Sequence, residues 1–287
     1  MIRRRPFTIQ LPNRAPLELG SRTLIMGILN VTPDSFADGG LHFDPERAVE
    51  SGLRMVEDGA DIIDVGGEST RPGAEPLPEG EELRRVIPVV ERLASRVSVP
   101  ISIDTYKAGV ARAAIAAGAS IVNDISGLQY DPGLGGVVAE SGAAVVLMHT
   151  RGRSAGMYDL ARYTDAPKEV AAELGAAMTR AAEAGIARDA IVLDPGFGFA
   201  KRAEHSAAVL AHLDTLQELN RPILSGPSRK SFLKAALGER APAEREWGTA
   251  AAVAASILLG AHIVRVHGVK AMADVARVTD LILSAAG

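Results

Sequence analysis

The chain has 287 residues, 31 basic against 35 acidic for a formal charge of −4, with 47% hydrophobic residues, 23% charged residues and no cysteine. These are ordinary globular proportions with ample apolar material for a core, and they exclude a disordered polypeptide. Without a thiol there are no disulfides, zinc–thiolate sites, thiolate-held iron–sulfur clusters or cysteine nucleophile. The mild acidity argues against a nucleic-acid backbone binder but leaves a small anionic substrate open, because a few local arginines suffice for one.

Arg3-Arg4-Arg5 opens the chain, but Pro6, Gln10, Pro12, Asn13 and Arg14 follow, so the apolar run of a secretory signal does not form. Residues 8–11 and 17–19, joined through Pro12-Asn13-Arg14, read as a hairpin (about 7–20) that could cap a barrel floor. Eight short β-branched runs come next, at residues 24–30, 61–66, 101–104, 120–124, 144–149, 190–194, 222–225 and 263–267. They are nearly continuous Ile, Val and Leu, the composition of strands buried on both faces of a parallel sheet.

Helical patterns separate these runs. Residues 45–57 carry Ala48, Leu53 and Val56 on one face, with Asp44 as N-cap and Pro45 in the first helical position. Residues 79–93 follow the same logic through Leu83, Val86, Ile87 and Val90, and further helices fall at 110–117, 165–184, 203–219 and 270–284. Two more, around 231–237 and 244–259, lie between the seventh and eighth runs. The apolar stretch 250–264 is alanine-rich, contains His262 and is shorter than the roughly 20 residues a bilayer requires. Localisation is expected to be cytoplasmic, with neither a membrane nor a nucleic acid as partner.

Strand alternating with helix implies βαβ units. The count of eight favours one α/β domain over residues 1–287, a (β/α)8 TIM barrel with an N-terminal β-hairpin, over an open doubly wound sheet. Almost every run ends in a polar side chain: Asn30, Asp64, Asp104, Asn123 with Asp124, His149, Asp194, Ser225, and Arg265 with His267. In a barrel these converge on the C-terminal mouth, where such folds keep their sites. Asp, Asn and Ser there could simply cap helices, but Arg and His are not N-cap residues.

Three segments go beyond generic barrel chemistry. Met26-Gly-Ile-Leu-Asn-Val-Thr-Pro-Asp-Ser-Phe36 runs from a strand into a long polar loop. Asp64-Val-Gly-Gly-Glu-Ser-Thr-Arg-Pro-Gly73 has the glycines, hydroxyls and arginine of a loop able to close on an anion. Ser225-Gly-Pro-Ser-Arg-Lys-Ser231 sets a lysine and hydroxyls at a predicted helix start, where free N–H groups favour anions. Gly196-Phe-Gly-Phe-Ala-Lys201 lacks the third glycine of a dinucleotide fingerprint. His149 and His267 are too isolated to suggest a zinc pair and read as satisfied structural histidines.

These loops, together with Asp194-Pro-Gly-Phe-Gly-Phe199, Ser228-Arg-Lys230 and Arg265-Val-His267, are similar to the signature motifs of the dihydropteroate synthase family within the pterin-binding enzymes. These are the folate-pathway enzymes that sulfonamides block, and the resemblance runs from residue 25 to about 281. It implies a transferase that condenses (7,8-dihydropterin-6-yl)methyl diphosphate with 4-aminobenzoate, by an SN1-like route, to 7,8-dihydropteroate and pyrophosphate. It implies catalytic roles for Asp104, Lys230, Arg265 and His267. Asp104, Asn123, Met148, Asp194, Phe199, Gly226 and Lys230 would hold the pterin, and Asn30, Thr70, Arg71, Arg265 and His267 the diphosphate. Phe36, Thr70, Arg71, Pro72 and Ser231 would receive 4-aminobenzoate.

Mg²⁺ is the implied cofactor, with Asn30 as its protein ligand, and a homodimer the implied assembly, for which the helix at 250–259 could supply a face. Thr150 and Pro227 depart from the commoner pattern without touching an assigned residue, and the loop 151–163 carries no assignment. A corrinoid-dependent methyltransferase of the same superfamily would lack the Ser-Thr-Arg-Pro-Gly loop and the Ser-Arg-Lys lysine. A catalytically silent pterin binder is the reading from a different class.

Overall fold

The computed structural model describes residues 4–32, 44–69 and 73–286. Strands β1 (Phe7–Leu11) and β2 (Arg14–Leu19) form the antiparallel hairpin, turned at Asn13 in the left-handed region (φ 57°). Eight parallel strands follow: β3 (Leu24–Asn30), β4 (Ile62–Gly66), β5 (Ile101–Asp104), β6 (Ile121–Asp124), β7 (Ala144–Met148), β8 (Ile191–Asp194), β9 (Leu224–Ser225) and β10 (Ile263–Val266). Their order around the sheet is β8-β7-β6-β5-β4-β3-β10-β9, and a parallel bridge from Leu193 to Ile223 joins the two ends. The sheet is therefore a barrel and not an open doubly wound sheet.

The helices are α1 (Pro45–Glu57), α2 (Glu79–Ala94), α3 (Ala108–Ala116), α4 (Leu134–Ser141), α5 (Ala166–Glu183), α6 (Ala203–Ala211), α7 (Lys234–Leu237), α8 (Glu246–Leu258) and α9 (Val269–Ala285). Asp44 caps α1 as expected, accepting the Glu46 N–H at 2.9 Å. α3 starts at Ala108, two residues earlier than its pattern suggests, because the distant Asp131 carboxylate accepts the Ala108 N–H at 2.8 Å. α4 has no counterpart among the predicted helices, since Gly135 and Gly136 dilute its apolar face. The helix expected over 203–219 is two pieces: α6 breaks at His212, and a 3₁₀ turn, Leu213–Leu219, ends on Asn220 at φ 51°.

Strand composition explains the layering. Every residue of β4 and β7 is buried, one face toward the barrel interior and the other toward the helices. At the N-terminal end, Ile9, Leu11, Leu17 and Leu19 of the hairpin pack against Leu24, Met26, Ile62, Ile121, Val146, Val192 and Ile263. Burying one such side chain stabilises the fold by about 1.5–3 kcal/mol. Arg14 fastens this plug to the outer layer by donating to the carbonyls of Ala94 and Val97, each at 2.9 Å, at the C-terminal end of α2. Parallel register then aligns the opposite strand ends: Gly66 beside Asp104, Asp104 beside Asn123, and Met148 beside Asp194.

Candidate active site

Asp104, Asn123, Met148, Asp194, Phe199, Gly226, Lys230 and Arg265 line one cleft at the C-terminal mouth, with Ile125, Gly196 and Phe197 completing its wall. All seven residues expected around the pterin ring are thus in one place, and Arg265 joins them.

The charges are tightly interlocked. Arg265 Nη2 donates to Asp104 Oδ2 at 2.6 Å and its Nε donates to Asp64 Oδ2 at 2.6 Å. Burial works against the charge on Arg265, but Asp64 and Asp104 outweigh it and raise its pKa. Burial pushes the Asp104 carboxyl up to about 7, against the pull of Arg265. Asp194 is also raised by burial, although its Oδ1 accepts the Gly196 N–H at 2.7 Å. Burial, with Arg265 nearby, lowers Lys230 to about 8 despite Asp194 and Asp104. The Lys230 ammonium lies 4.1 Å from the centroid of the Phe199 ring, a cation–π contact that orients both. The cleft therefore sets two carboxylates and two cations within reach of one small molecule, and in two of them, Asp104 and Lys230, burial brings the pKa close to neutrality.

Asp64 is the residue that sequence reasoning left without a role. It is fully buried, and its Oδ2 accepts from both Arg265 and Asn123 Nδ2, the latter at 2.9 Å. Because Asn123 gives its amide N–H to Asp64, its carbonyl oxygen remains as the acceptor available to a ligand. The available signal was an aspartate inside the otherwise apolar run Ile62–Gly66. His149 meets the structural expectation: it is 3% exposed and bonded on both ring nitrogens, to Lys201 and Glu173.

Of the remaining predicted residues, Asn30, His267 and Ser231 are described. Asn30 ends β3, half-buried and paired with Gly66. His267 follows β10; its N–H donates to Ser228 Oγ at 3.2 Å, and its Nδ1 lies 2.9 Å from the same hydroxyl. Ser231 is exposed on the rim, its Oγ 4.0 Å from where a Cβ on Gly198 would stand. The helix start expected there is a three-residue 3₁₀ turn, Ser231–Leu233, leading into the four-residue α7, so its dipole is weak. Phe36, Thr70, Arg71 and Pro72 lie outside the described residues.

Residues 26–267 match the Pterin binding enzyme family. The dihydropteroate synthase of Synechocystis sp. is 47% identical over 92% of this chain and 91% of its own length. The structure of Xanthomonas albilineans dihydropteroate synthase with 4-aminobenzoic acid superposes with a TM-score of 0.87 at 45% identity, covering 93% of this chain and 95% of that one. That of Yersinia pestis dihydropteroate synthase in a sulfonamide drug complex gives 0.89 at 41% identity, covering 97% and 100%. With its barrel, its charged cleft and this likeness along nearly its whole length, the chain belongs to the dihydropteroate synthase family of pterin-binding enzymes.

Proposed function

We propose that the chain condenses (7,8-dihydropterin-6-yl)methyl diphosphate with 4-aminobenzoate, giving 7,8-dihydropteroate and pyrophosphate for folate synthesis. The observation that carries this reading is the gathering of Asp104, Asn123, Asp194, Lys230 and Arg265 on one cleft. A pterin presents N–H donors on its amino-pyrimidinone edge and acceptors elsewhere. Asp194, Asp104 and the Asn123 carbonyl accept the former and Lys230 donates to the latter, while Phe199, Met148 and Gly226 pack the ring. Removing one buried partner from such a set costs about 1–3 kcal/mol.

Arg265 and His267, with Thr70 and Arg71, hold the diphosphate through charge-assisted hydrogen bonds. In an SN1-like reaction the methylene C–O bond breaks first and its electron pair leaves with pyrophosphate. Asp104 faces the resulting pterin cation and stabilises it. The amino nitrogen of 4-aminobenzoate then forms the new C–N bond and loses a proton. Phe36 and Pro72 pack the benzoate ring, Thr70 and Arg71 order the loop over it, and Ser231 receives its carboxylate.

The described residues contain no cluster of three or more His, Asp or Glu able to cage a metal. A single oxygen donor suits Mg²⁺, which keeps most of its water and binds through substrate phosphates. Asn30 would hold it, and bound Mg²⁺ would neutralise charge on the leaving group.

A homodimer is supported by exposed apolar side chains. Val278, Leu281 and Ile282 of α9 are 58%, 68% and 50% exposed, and Trp247 of α8 is 87% exposed. In α8 itself Thr249, Ala252, Val253, Ser256 and Ile257 are buried, so that helix, which could equally have been a dimer face or barrel core, serves the core, and the exposed apolar face lies mainly on α9. No helix among the described residues is long and apolar enough to cross a membrane.

The test is incubation with the pterin diphosphate, Mg²⁺ and 4-aminobenzoate. Dihydropteroate and pyrophosphate should appear together. No release of pyrophosphate rejects the reading and favours a silent pterin binder; release indifferent to 4-aminobenzoate rejects the reading as well. The methyltransferase reading is disfavoured by Ser69-Thr-Arg-Pro-Gly73 and Ser228-Arg-Lys230, both present in the chain.

A further inference from the structure

Lys201 is only 1% exposed, directly behind the cleft wall. Its ammonium has three N–H donors, and three good acceptors surround it: His149 Nδ1 at 2.7 Å, Gly196 O at 3.0 Å and Phe199 O at 3.0 Å. A cation is costly to bury, and an apolar side chain would fill the same space without that cost. The structure keeps the cation and turns two loop carbonyls inward to meet it. Burial pushes its pKa down to about 7.

Those carbonyls belong to the segment that carries the pterin contacts. It doubles back through left-handed residues at Gly196 (φ 67°), Gly198 (φ 78°) and Ala200 (φ 47°). For Ala200 that conformation is unfavourable and needs support from its surroundings. Gly196 gives its carbonyl to Lys201 and its N–H to Asp194 Oδ1. Phe199 gives its carbonyl to Lys201 while its ring sits under the Lys230 ammonium. Since His149 Nδ1 accepts from Lys201, His149 Nε2–H donates to Glu173, at 3.0 Å, and Arg151 binds the same carboxylate. The His149 N–H also donates to the Asp194 carbonyl at 2.9 Å.

We propose that Lys201 is a positioning residue for the pterin subsite: through Gly196 and Phe199 it fixes the Asp194 carboxylate and the ring beneath Lys230, with His149 and Glu173 setting its own orientation. This rests on the reading of the cleft as a pterin site. It is tested with Lys201→Met, which keeps the aliphatic stem and removes all three donors. The readouts are calorimetric binding of 6-hydroxymethylpterin and the Michaelis constants of both substrates, with circular dichroism and melting to verify folding.

The expected result is at least a tenfold weaker Kd for the pterin and a similar rise in KM for its diphosphate, with the KM for 4-aminobenzoate moving less than twofold. A folded variant with pterin affinity within twofold of wild type, or with both substrates affected alike, overturns the role. Should Lys201→Met fail to fold, Glu173→Ala takes its place, because that residue is 40% exposed at its side chain. It should weaken pterin binding about threefold and leave 4-aminobenzoate unchanged; unaltered pterin binding overturns the proposal. Wild-type protein that binds no pterin rejects the functional reading together with this one. Pterin binding that is indifferent to these substitutions rejects only the role of Lys201.

Discussion

The two ends of the barrel are built from the same strands and differ completely in chemistry. At the N-terminal end β3, β4 and β10 contribute Leu24, Met26, Ile62 and Ile263, and the hairpin seals them with Ile9, Leu11, Leu17 and Leu19. A few residues further along, the same strands and their neighbours deliver Asp64, Asp104, Asn123, Asp194 and Arg265. The first end gains stability from apolar burial. The second holds buried ion pairs whose desolvation offsets much of their attraction. Stability and chemistry are thereby separated along the barrel axis, and substitutions at the two ends should have distinct signatures.

The largest effect is expected at the plug. Ile9 is fully buried, and Ile9→Ala should cost about 3–4 kcal/mol of unfolding free energy in urea denaturation, with kcat/KM almost unchanged. A comparable fall in kcat/KM would show that the two ends are coupled. At the mouth the pattern should invert. Asp104→Asn and Lys230→Ala should each lower kcat/KM for the pterin diphosphate roughly a hundredfold, about 2.7 kcal/mol, while the urea midpoint stays near wild type. Near-normal kinetics in either variant would remove that residue from its role.

The smallest effect, and the sharpest, is the pH profile. Asp104 stabilises the pterin cation only as a carboxylate, and burial pushes its pKa up to about 7, so kcat/KM should fall as pH drops below that value. Lys230 donates as an ammonium and loses its proton above about 8, so the profile should fall again on the alkaline side. Each limb approaches a tenfold change per pH unit. In Asp104→Asn the acid limb should vanish and the alkaline one remain; an unchanged acid limb in that variant assigns it to another group.

The strands were legible because a parallel barrel buries both faces and leaves uninterrupted Ile, Val and Leu. Where local chemistry intervenes the reading weakened. β9 shrank to Leu224–Ser225 between Pro222 and the Gly226-Pro227 turn, and α4 escaped notice behind its paired glycines. The cleft residues were found through motifs, and their convergence follows from the register of the strand ends. Their internal partners were not visible. Arg265 and Asp64 are 201 positions apart and meet only through barrel closure. Lys201 looked like the tail of a failed nucleotide fingerprint, and its purpose emerges only once two carbonyls turn toward it.

The single bridge between Leu193 and Ile223 makes the junction of β8 and β9 the most lightly stitched seam of the ring. Asp194 stands immediately above one lip and Gly226 above the other, on the same cleft. A heterocycle lodged there acts as a clasp across the join, so occupancy and closure of the cylinder reinforce each other by mass action.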